Sequence, residues 1–177
     1  FNIYLTDLLT KEKLINKDKT YAITHSTRKI LSKFNLWEKL TSHLYEFDSL
    51  LISDSVTLDF TILNTQDLDE DISSLKTIGW VVKHTDLMNV FFDEIERIDN
   101  IFFKSSLGES YENINFDYKF VSSGANSNFK KNKNFIDFKK EYNQSCLTFE
   151  VLVRGNFHRR AYEIFRKEGP LALLPLD

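Results

Sequence analysis

The chain has 177 residues, of which 42% are hydrophobic and 14% aromatic, so it has enough apolar side chains to bury a core. Its formal net charge of −3 argues against a nucleic-acid-binding protein, which would carry a basic surface. The one basic cluster, the lysines at positions 130, 131, 133, 139 and 140, is interpreted as a solvated face. No apolar run approaches the ~20 residues that span a bilayer, so no transmembrane segment is predicted.

The single cysteine, Cys146, excludes an internal disulfide and fits a reducing compartment. It lies in the apolar run CLTFEVLV, where a buried, inert thiol is expected. The four histidines show no metal-ligand spacing, and no GxSxG motif supports a serine hydrolase. The acidic stretch QDLDEDISS lacks the glycine and terminal glutamate of a calcium loop, so it is interpreted as a solvated loop and no metal site is predicted.

The first predicted elements are a strand and a helix. Alternation along FNIYLT predicts a strand that Asp7 closes. A short amphipathic helix is predicted after the capping candidates Thr24 and Ser26, and Asn35 suits its left-handed end. The residues predicted to form its apolar face are Ile30, Leu31 and Phe34.

In the middle of the chain, SLLISD and VTLDFTI are predicted to be strands. The run GWVVK then predicts a strand that enters a helix at His84 and Thr85, with Thr85 or Asp86 as its cap. The predicted buried stripe of this helix consists of Leu87, Val90, Phe91 and Ile95.

The last third is predicted to begin with an apolar strand, YKFV, that leads into the small-residue loop SSGANS. A glycine-asparagine pair at 155 and 156 then predicts a hairpin between SCLTFEVLV and HRRAYEIF, and GPLALLPL predicts a final strand. Together these elements predict an α/β core that carries a second sheet.

One residue points to chemistry by position alone. Asp7 ends a predicted strand, and an acidic residue at that place in a dinucleotide-binding fold accepts hydrogen bonds from the ribose of adenosine. The alternative is that Asp7 only forms the turn after the strand.

Several blocks of the sequence, in the correct order, resemble the flavin-dependent aromatic hydroxylases, in particular the ubiquinone-biosynthesis hydroxylases related to 4-hydroxybenzoate hydroxylase. The resemblance covers nearly the whole chain, and its most specific part is the final block ending in GPLALLPLD. The blocks are KTYAITHSTRKILSKFNLWEKL, SLLISD, IGWVVKHTDLMNVFFDEI, DYKFVSSGANS and YNQSCLTFEVLV with HRRAYEIFRKEGPLALLPLD.

The resemblance implies an α/β fold like that of 4-hydroxybenzoate hydroxylase, with an incomplete FAD/NAD(P)-binding Rossmann-like domain and an antiparallel or mixed β-sheet substrate domain. Residues 1–47 and 78–130 would belong to the FAD-binding domain, and residues 48–77 and 131–177 to the substrate-binding sheet. The glycine-rich dinucleotide loop would precede Phe1, and the Gly-Asp flavin motif would follow Asp177. The chain is therefore expected to be an internal segment, poorly soluble and inactive alone because its first strand lacks a neighbour.

The resemblance also assigns cofactor-binding residues. Asp7 takes the ribose position, Lys19 replaces a flavin-contacting arginine, and Tyr21, Ala22 and Ile23 would run beside the isoalloxazine. Ordinary alternatives are a surface lysine at 19 and core residues at 21 to 23.

A second set of cofactor residues falls in the SSGANS loop, where the family carries a strand followed by Asp-Gly near the FAD pyrophosphate. Gly124 and the following Ala-Asn-Ser match this pattern, but Ser123 stands in place of the aspartate and Lys130 in place of an arginine. The serine lacks the carboxylate charge, so the departure bears on nicotinamide-cofactor handling more than on the fold. A lysine keeps the positive charge but loses the bidentate fork of arginine.

The implied activity is that of an FAD-dependent monooxygenase, reduced by NADH or NADPH, that hydroxylates an aromatic ring through a flavin C4a-hydroperoxide. The implied partners are a small hydrophobic aromatic substrate such as a polyprenyl phenol, molecular oxygen and other ubiquinone-biosynthesis proteins. The implied location is the cytoplasm, with peripheral membrane contact as a variant. No catalytic acid or base is assigned. Alternatives are a prenyl reductase or epoxidase of the same fold, and a flavin-free scaffold subunit.

Overall fold

A computed structural model describes residues 1–68, 76–105, 115–122, 140, 142–155 and 159–176, and these form a mixed α/β structure. The described strands are β1 (Ile3–Asp7), β2 (Thr20–Ile23), β3 (Leu44–Phe47), β4 (Ser49–Asp54), β5 (Phe60–Asn64), β6 (Gly79–Lys83), β7 (Ile101–Ser105), β8 (Arg160–Phe165) and β9 (Leu171–Leu173). The described α-helices are α1 (Lys11–Ile15), α2 (His25–Lys33), α3 (Trp37–Leu40) and α4 (His84–Arg97). None of these helices is long and apolar enough to cross a membrane.

The smallest sheet pairs β1 with β7 in parallel, and Asp7 lies opposite Ser105 at its carboxyl end. The rings of Tyr4 and Phe102 stack at 5.2 Å between centroids across the two strands. Helix α4 leads into β7 and contacts it, and the ring of Phe92 meets that of Phe103 edge to face at 5.1 Å. Helix α1, which follows β1, contacts α4. The predicted strand from Phe1 to Asp7 is therefore confirmed.

The central sheet is antiparallel in the order β2-β6-β3, and the main hydrophobic core lies against it. Trp80 meets Trp37 edge to face at 4.7 Å and His25 at 4.9 Å between ring centroids. The buried residues of this core are Ile23, Leu31, Trp37, Leu40, Trp80, Val82 and Val90. Strand β6 thus holds α2, α3 and α4 against one sheet.

Gly79 begins β6 at a place where no side chain fits. A Cβ atom there would lie 2.8 Å from Cζ of Phe47 and 2.9 Å from the carbonyl oxygen of Ile23. Because that oxygen belongs to the backbone of β2, it cannot move without disturbing the paired strand. Glycine is therefore required by the close approach of the two strands.

The third sheet has the order β5-β4-β8-β9, with β4 and β8 parallel and the outer pairs antiparallel. A second core cluster joins it to the central sheet through Phe47, Val81 and Ala161. Leu50, Ile78 and Leu176 pack against this cluster. The cluster draws residues from both predicted domains, and the domain boundaries themselves remain a prediction.

Helix α3 is tied to α4 by an ion pair between Lys39 and Glu94. The hydrogen bond from Lys39 lowers the pKa of Glu94 below its ordinary value, with the charges of Lys39 and Arg97 adding to the effect. The pair therefore stabilises the fold above the ordinary glutamate range, and this contribution is lost as the pH falls through the lowered pKa. Both side chains are partly exposed, so the contribution is small.

The helix predicted after Thr24 forms as α2, but only part of its predicted apolar face is buried. Asn35 has the expected left-handed backbone, with φ 56°. Leu31 is buried, but Ile30 and Phe34 are 56% and 64% exposed. Helix α2 directs Leu31 into the main core, and Ile30, about 100° away around the helix, faces solvent. Phe34 already lies past the end of α2.

Helix α4 begins at His84, so its N-cap position lies two residues before Thr85 and three before Asp86. Its N-cap residue is Lys83, without a side-chain cap, so neither Thr85 nor Asp86 caps it. Val90 is buried as predicted, and Leu87 and Phe91 pack against the main core. The fully buried Phe92 was not predicted, because it faces β7 rather than the central sheet.

The predicted hairpin before β8 is wrong as far as the structure describes it. Residues 145–153 contain no strand, and they are exposed. The physical reason is that β4 and β9 already occupy both edges of β8, so no edge is left for this segment. Cys146 is accordingly exposed, and the predicted buried thiol is also wrong.

Candidate functional site

A polar cleft of about 270 Å³ lies where the loop after α1 meets the start of α4. Every lining residue has a polar or charged side chain, and three of them are lysines and two are carboxylates. The lining residues are Asn16, Lys17, Asp18, Lys19, Lys83, Thr85 and Glu150. Lys19, a predicted flavin-contacting residue, is part of this lining, and the cleft suits a charged or strongly polar ligand group.

The cleft is built by three elements that end or begin together. Helix α1 ends at Ile15, with Asn16 as its C-cap. The amide N–H of Lys19 donates to the carbonyl of Lys17 at 3.0 Å, which turns the chain into β2. Thr20 of β2 pairs with Lys83 at the end of β6. The N–H of His84, the first residue of α4, donates to the carbonyl of Lys19 at 2.8 Å. The loop is therefore attached to the helix start.

His84 is only 6% exposed and makes two further hydrogen bonds with its ring. Nε2 lies 2.6 Å from the carbonyl oxygen of Leu14, and Nδ1 lies 2.7 Å from the hydroxyl of Tyr21. Tyr21 is one of the residues predicted to border the flavin. These bonds hold α1, β2 and α4 at one point.

One ion pair reaches the cleft from the segment before β8. Nζ of Lys83 lies 3.7 Å from Oε2 of Glu150, and both side chains are about half exposed. An exposed pair at this distance adds little stability. With three lysines against two carboxylates, the cleft keeps a positive balance and favours an anionic group.

Asp7 lies at the carboxyl end of the parallel pair β1–β7, where ligands of open α/β sheets are found. Its Oδ1 accepts a hydrogen bond from the N–H of Leu9 at 2.9 Å. A carboxylate offers about four acceptor positions, so this turn and a ribose contact are compatible. The geometry of Asp7 is therefore compatible with both interpretations made from the sequence, a ribose-binding residue and a turn residue.

The predicted site residues fall into three groups. The backbone carbonyl of Lys19 and the hydroxyl of Tyr21 both form hydrogen bonds with His84. Ala22 is exposed beside them, and the side chain of Ile23 lies in the main core. Asp7 lies on a different sheet. Of the SSGANS loop only Ser122 is described; Ser123, Gly124 and the following residues through Lys130 lie outside the described residues.

The third sheet, whose strands all lie in the residues predicted to form the substrate-binding sheet, has one apolar face. Residues directly opposite each other in a sheet share a face, and two registered rows run across all four strands. The rows are Ile62, Leu51, Tyr162 and Leu173, and Phe60, Ser53, Ile164 and Leu171. We call them the apolar sheet face; most of its side chains are partly exposed. The opposite face packs Leu50 and Ala161 into the second core cluster.

A second, smaller cavity of about 170 Å³ lies beside the two tryptophans and contains no predicted site residue. The guanidinium of Arg28 lies 5.7 Å and 5.9 Å from the ring centroids of Trp37 and Trp80. Nε1 of Trp80 donates to Glu46 at 3.4 Å. Within the described residues, no three His, Cys, Asp or Glu side chains are grouped so as to hold a metal ion.

Comparison with known proteins identifies a distant relative but no family. No family model matches the chain. A protein of Synechocystis sp., "Uncharacterized protein slr1300", is 22% identical over an alignment of 192 residues. The alignment covers 98% of this chain and 45% of that protein. The chain thus spans less than half the length of the curated relative it matches.

Proposed function

We propose that the chain is part of an FAD-dependent monooxygenase that hydroxylates an aromatic ring, with a polyprenyl phenol of ubiquinone biosynthesis as the substrate class. The observation that carries the proposal is the exposed carboxylate of Asp7 at the carboxyl end of the parallel pair β1–β7. That is the place where a dinucleotide-binding sheet holds the ribose of adenosine. The proposed location is the cytoplasm, with peripheral contact to the membrane.

The described residues fit the polar parts of FAD. Asp7 supplies an acceptor for ribose hydroxyls, which are donors. The polar cleft presents Lys19 beside β2, and its positive balance favours a negatively charged cofactor group. The exposed residues Tyr21 and Ala22 supply a border along which a flat ring could lie.

The apolar sheet face suits the hydrophobic substrate. Leu51, Tyr162 and Ile164 lie side by side on the two central strands of the third sheet, and they remain partly exposed. Partly exposed apolar rows favour an apolar tail or ring, because burying them against a ligand removes their surface from water. We infer that this face covers the substrate.

Bound FAD would supply the redox chemistry, with NADH or NADPH as the electron donor and molecular oxygen as the oxidant. The overall reaction converts an aromatic C–H bond to C–OH, while the second oxygen atom leaves as water and the nicotinamide is oxidised. The protein's own residues bind and orient: Asp7 holds the ribose, Lys19 the charged part of the cofactor, and the apolar sheet face the substrate. Exclusion of water by that face protects the reaction.

The test is turnover by the full-length gene product in isotopically labelled dioxygen, with a phenol that carries an apolar tail and with NADH or NADPH. We expect one labelled oxygen in a phenolic hydroxyl of the product. A saturated tail without label would instead identify a prenyl reductase, and a labelled epoxide an epoxidase. A gene product with neither bound flavin nor turnover would support the alternative function, a flavin-free scaffold subunit.

Leu51→Lys is expected to raise KM for the phenol at least about tenfold while leaving FAD affinity unchanged, because a charge on the apolar sheet face must be desolvated when substrate binds. Steady-state kinetics and FAD titration of the full-length gene product measure both quantities. Thr61→Lys is the matched control, since Thr61 is exposed on the opposite face of the same sheet. Equal KM values for the two variants would contradict a substrate role for this face.

A further inference from the structure

His84 connects three elements through one residue. Its backbone N–H donates to the carbonyl of Lys19, and its ring contacts the carbonyl of Leu14 and the hydroxyl of Tyr21. Leu14 belongs to α1, Tyr21 to β2, and His84 itself starts α4. The side chains of Leu14 and His84 are both buried.

The partners determine which ring nitrogen of His84 carries the proton. A carbonyl oxygen only accepts, so Nε2, at 2.6 Å from the carbonyl of Leu14, must donate. In the neutral ring Nδ1 is then an acceptor, and the hydroxyl of Tyr21, at 2.7 Å, donates to it. The Tyr21 hydroxyl is thereby directed toward α4 and held in one orientation.

This arrangement matters because β2 lies at an edge of its sheet as far as the structure describes it. In the order β2-β6-β3, β2 has one neighbouring strand among the described residues, β6. Tyr21 is 36% exposed, and Lys19 precedes the strand in an exposed loop. An exposed edge segment is mobile unless its backbone or side chains are anchored. Pairing with β6 holds the backbone of β2. The contacts with His84 add an anchor for the Lys19 carbonyl, which precedes the strand, and for the Tyr21 side chain.

We propose that His84 is a positioning residue that fixes the segment from Lys19 to Tyr21 in the conformation that binds the flavin. The inference rests on the proposed function, because the segment is the one expected to border the cofactor. His84 does not touch the ligand itself; it acts through the Lys19 carbonyl and the Tyr21 hydroxyl.

The test uses Tyr21→Phe and His84→Gln in the full-length gene product. Tyr21→Phe removes only the hydroxyl, and His84→Gln keeps a donor for Leu14. The control is Tyr45→Phe, since Tyr45 packs against the second core cluster and its hydroxyl makes no hydrogen bond within the described structure. Three quantities are measured: the nitrogen NMR shifts of His84, hydrogen–deuterium exchange over residues 17–22, and FAD affinity from flavin fluorescence.

We expect an Nε2-protonated His84 in the wild type, and faster exchange with FAD affinity reduced roughly threefold to tenfold in Tyr21→Phe and His84→Gln. Tyr45→Phe should match the wild type. Unchanged FAD affinity in both variants would overturn the inference, even if exchange rises, because the anchor would then serve the fold alone. A wild type that binds no flavin overturns the proposed function first and the inference with it, which separates the two failures.

Discussion

Replacing Trp80 with alanine is expected to lower the free energy of unfolding by about 3–5 kcal/mol. Trp80 is 4% exposed and lies at the centre of the main core, where its ring meets those of Trp37 and His25. Removing the indole takes away the surface against which α2 and α3 pack, and leaves a cavity. Because a domain is stable by only about 5–15 kcal/mol, the variant should be close to unfolding.

Urea unfolding of the full-length gene product, followed by far-UV circular dichroism, measures this change. Phe34→Ala is the matched control, because Phe34 is also aromatic but 64% exposed. It should change the free energy of unfolding by no more than about 0.5 kcal/mol. Similar losses of unfolding free energy in the two variants would contradict the assignment of Trp80 to the main core.

Asp7→Ala is expected to weaken FAD binding by about tenfold to a hundredfold, because hydrogen bonds to a charged group contribute about 1.5–3 kcal/mol. The variant also loses the turn bond to Leu9, which has a small effect on stability. FAD titration followed by quenching of flavin fluorescence measures the affinity.

Asp54→Ala separates the cofactor role of Asp7 from its turn role. Asp54 also ends a strand, and its Oδ1 accepts from the N–H groups of Val56 and Thr57 at 2.7 Å and 3.1 Å. It lies on the third sheet, away from the pair β1–β7. Both variants lose a turn, but only Asp7→Ala should lose FAD affinity, and equal affinities in both would remove the ribose assignment.

Sequence periodicity predicted several elements because their patterns are local. GWVVK reads as a buried strand, and the helix that follows it carries apolar residues at helical spacing. Asn35 was predicted from its tolerance of a left-handed backbone, which the structure shows. These features depend on neighbours within a few residues, so the sequence contains the information.

The wrong predictions depend on distant partners. The run at residues 145–153 has a strand-like pattern, but no edge of β8 is left for it. Ile30 and Phe34 are apolar but face solvent, since α2 presents Leu31 to the central sheet. Periodicity describes what a segment could bury and does not say whether a partner surface exists.

The candidate site was predictable only in part. Asp7 stands out by its position at the end of a predicted strand, Lys19 only by the resemblance, and the sequence places His84 at a strand-to-helix junction. The contacts of His84 with Leu14 and Tyr21 span 70 and 63 residues of chain, and no local pattern reveals them. The apolar sheet face likewise depends on the register between β4 and β8, which are more than one hundred residues apart.

The most direct test of the central claim is whether the full-length gene product binds FAD. The protein is purified, its visible absorbance is recorded, and FAD is then added while affinity and thermal stability are followed. We predict flavin absorbance after purification or saturable binding of added FAD, with a melting temperature that rises with FAD concentration. A colourless protein that binds no added FAD would contradict the account.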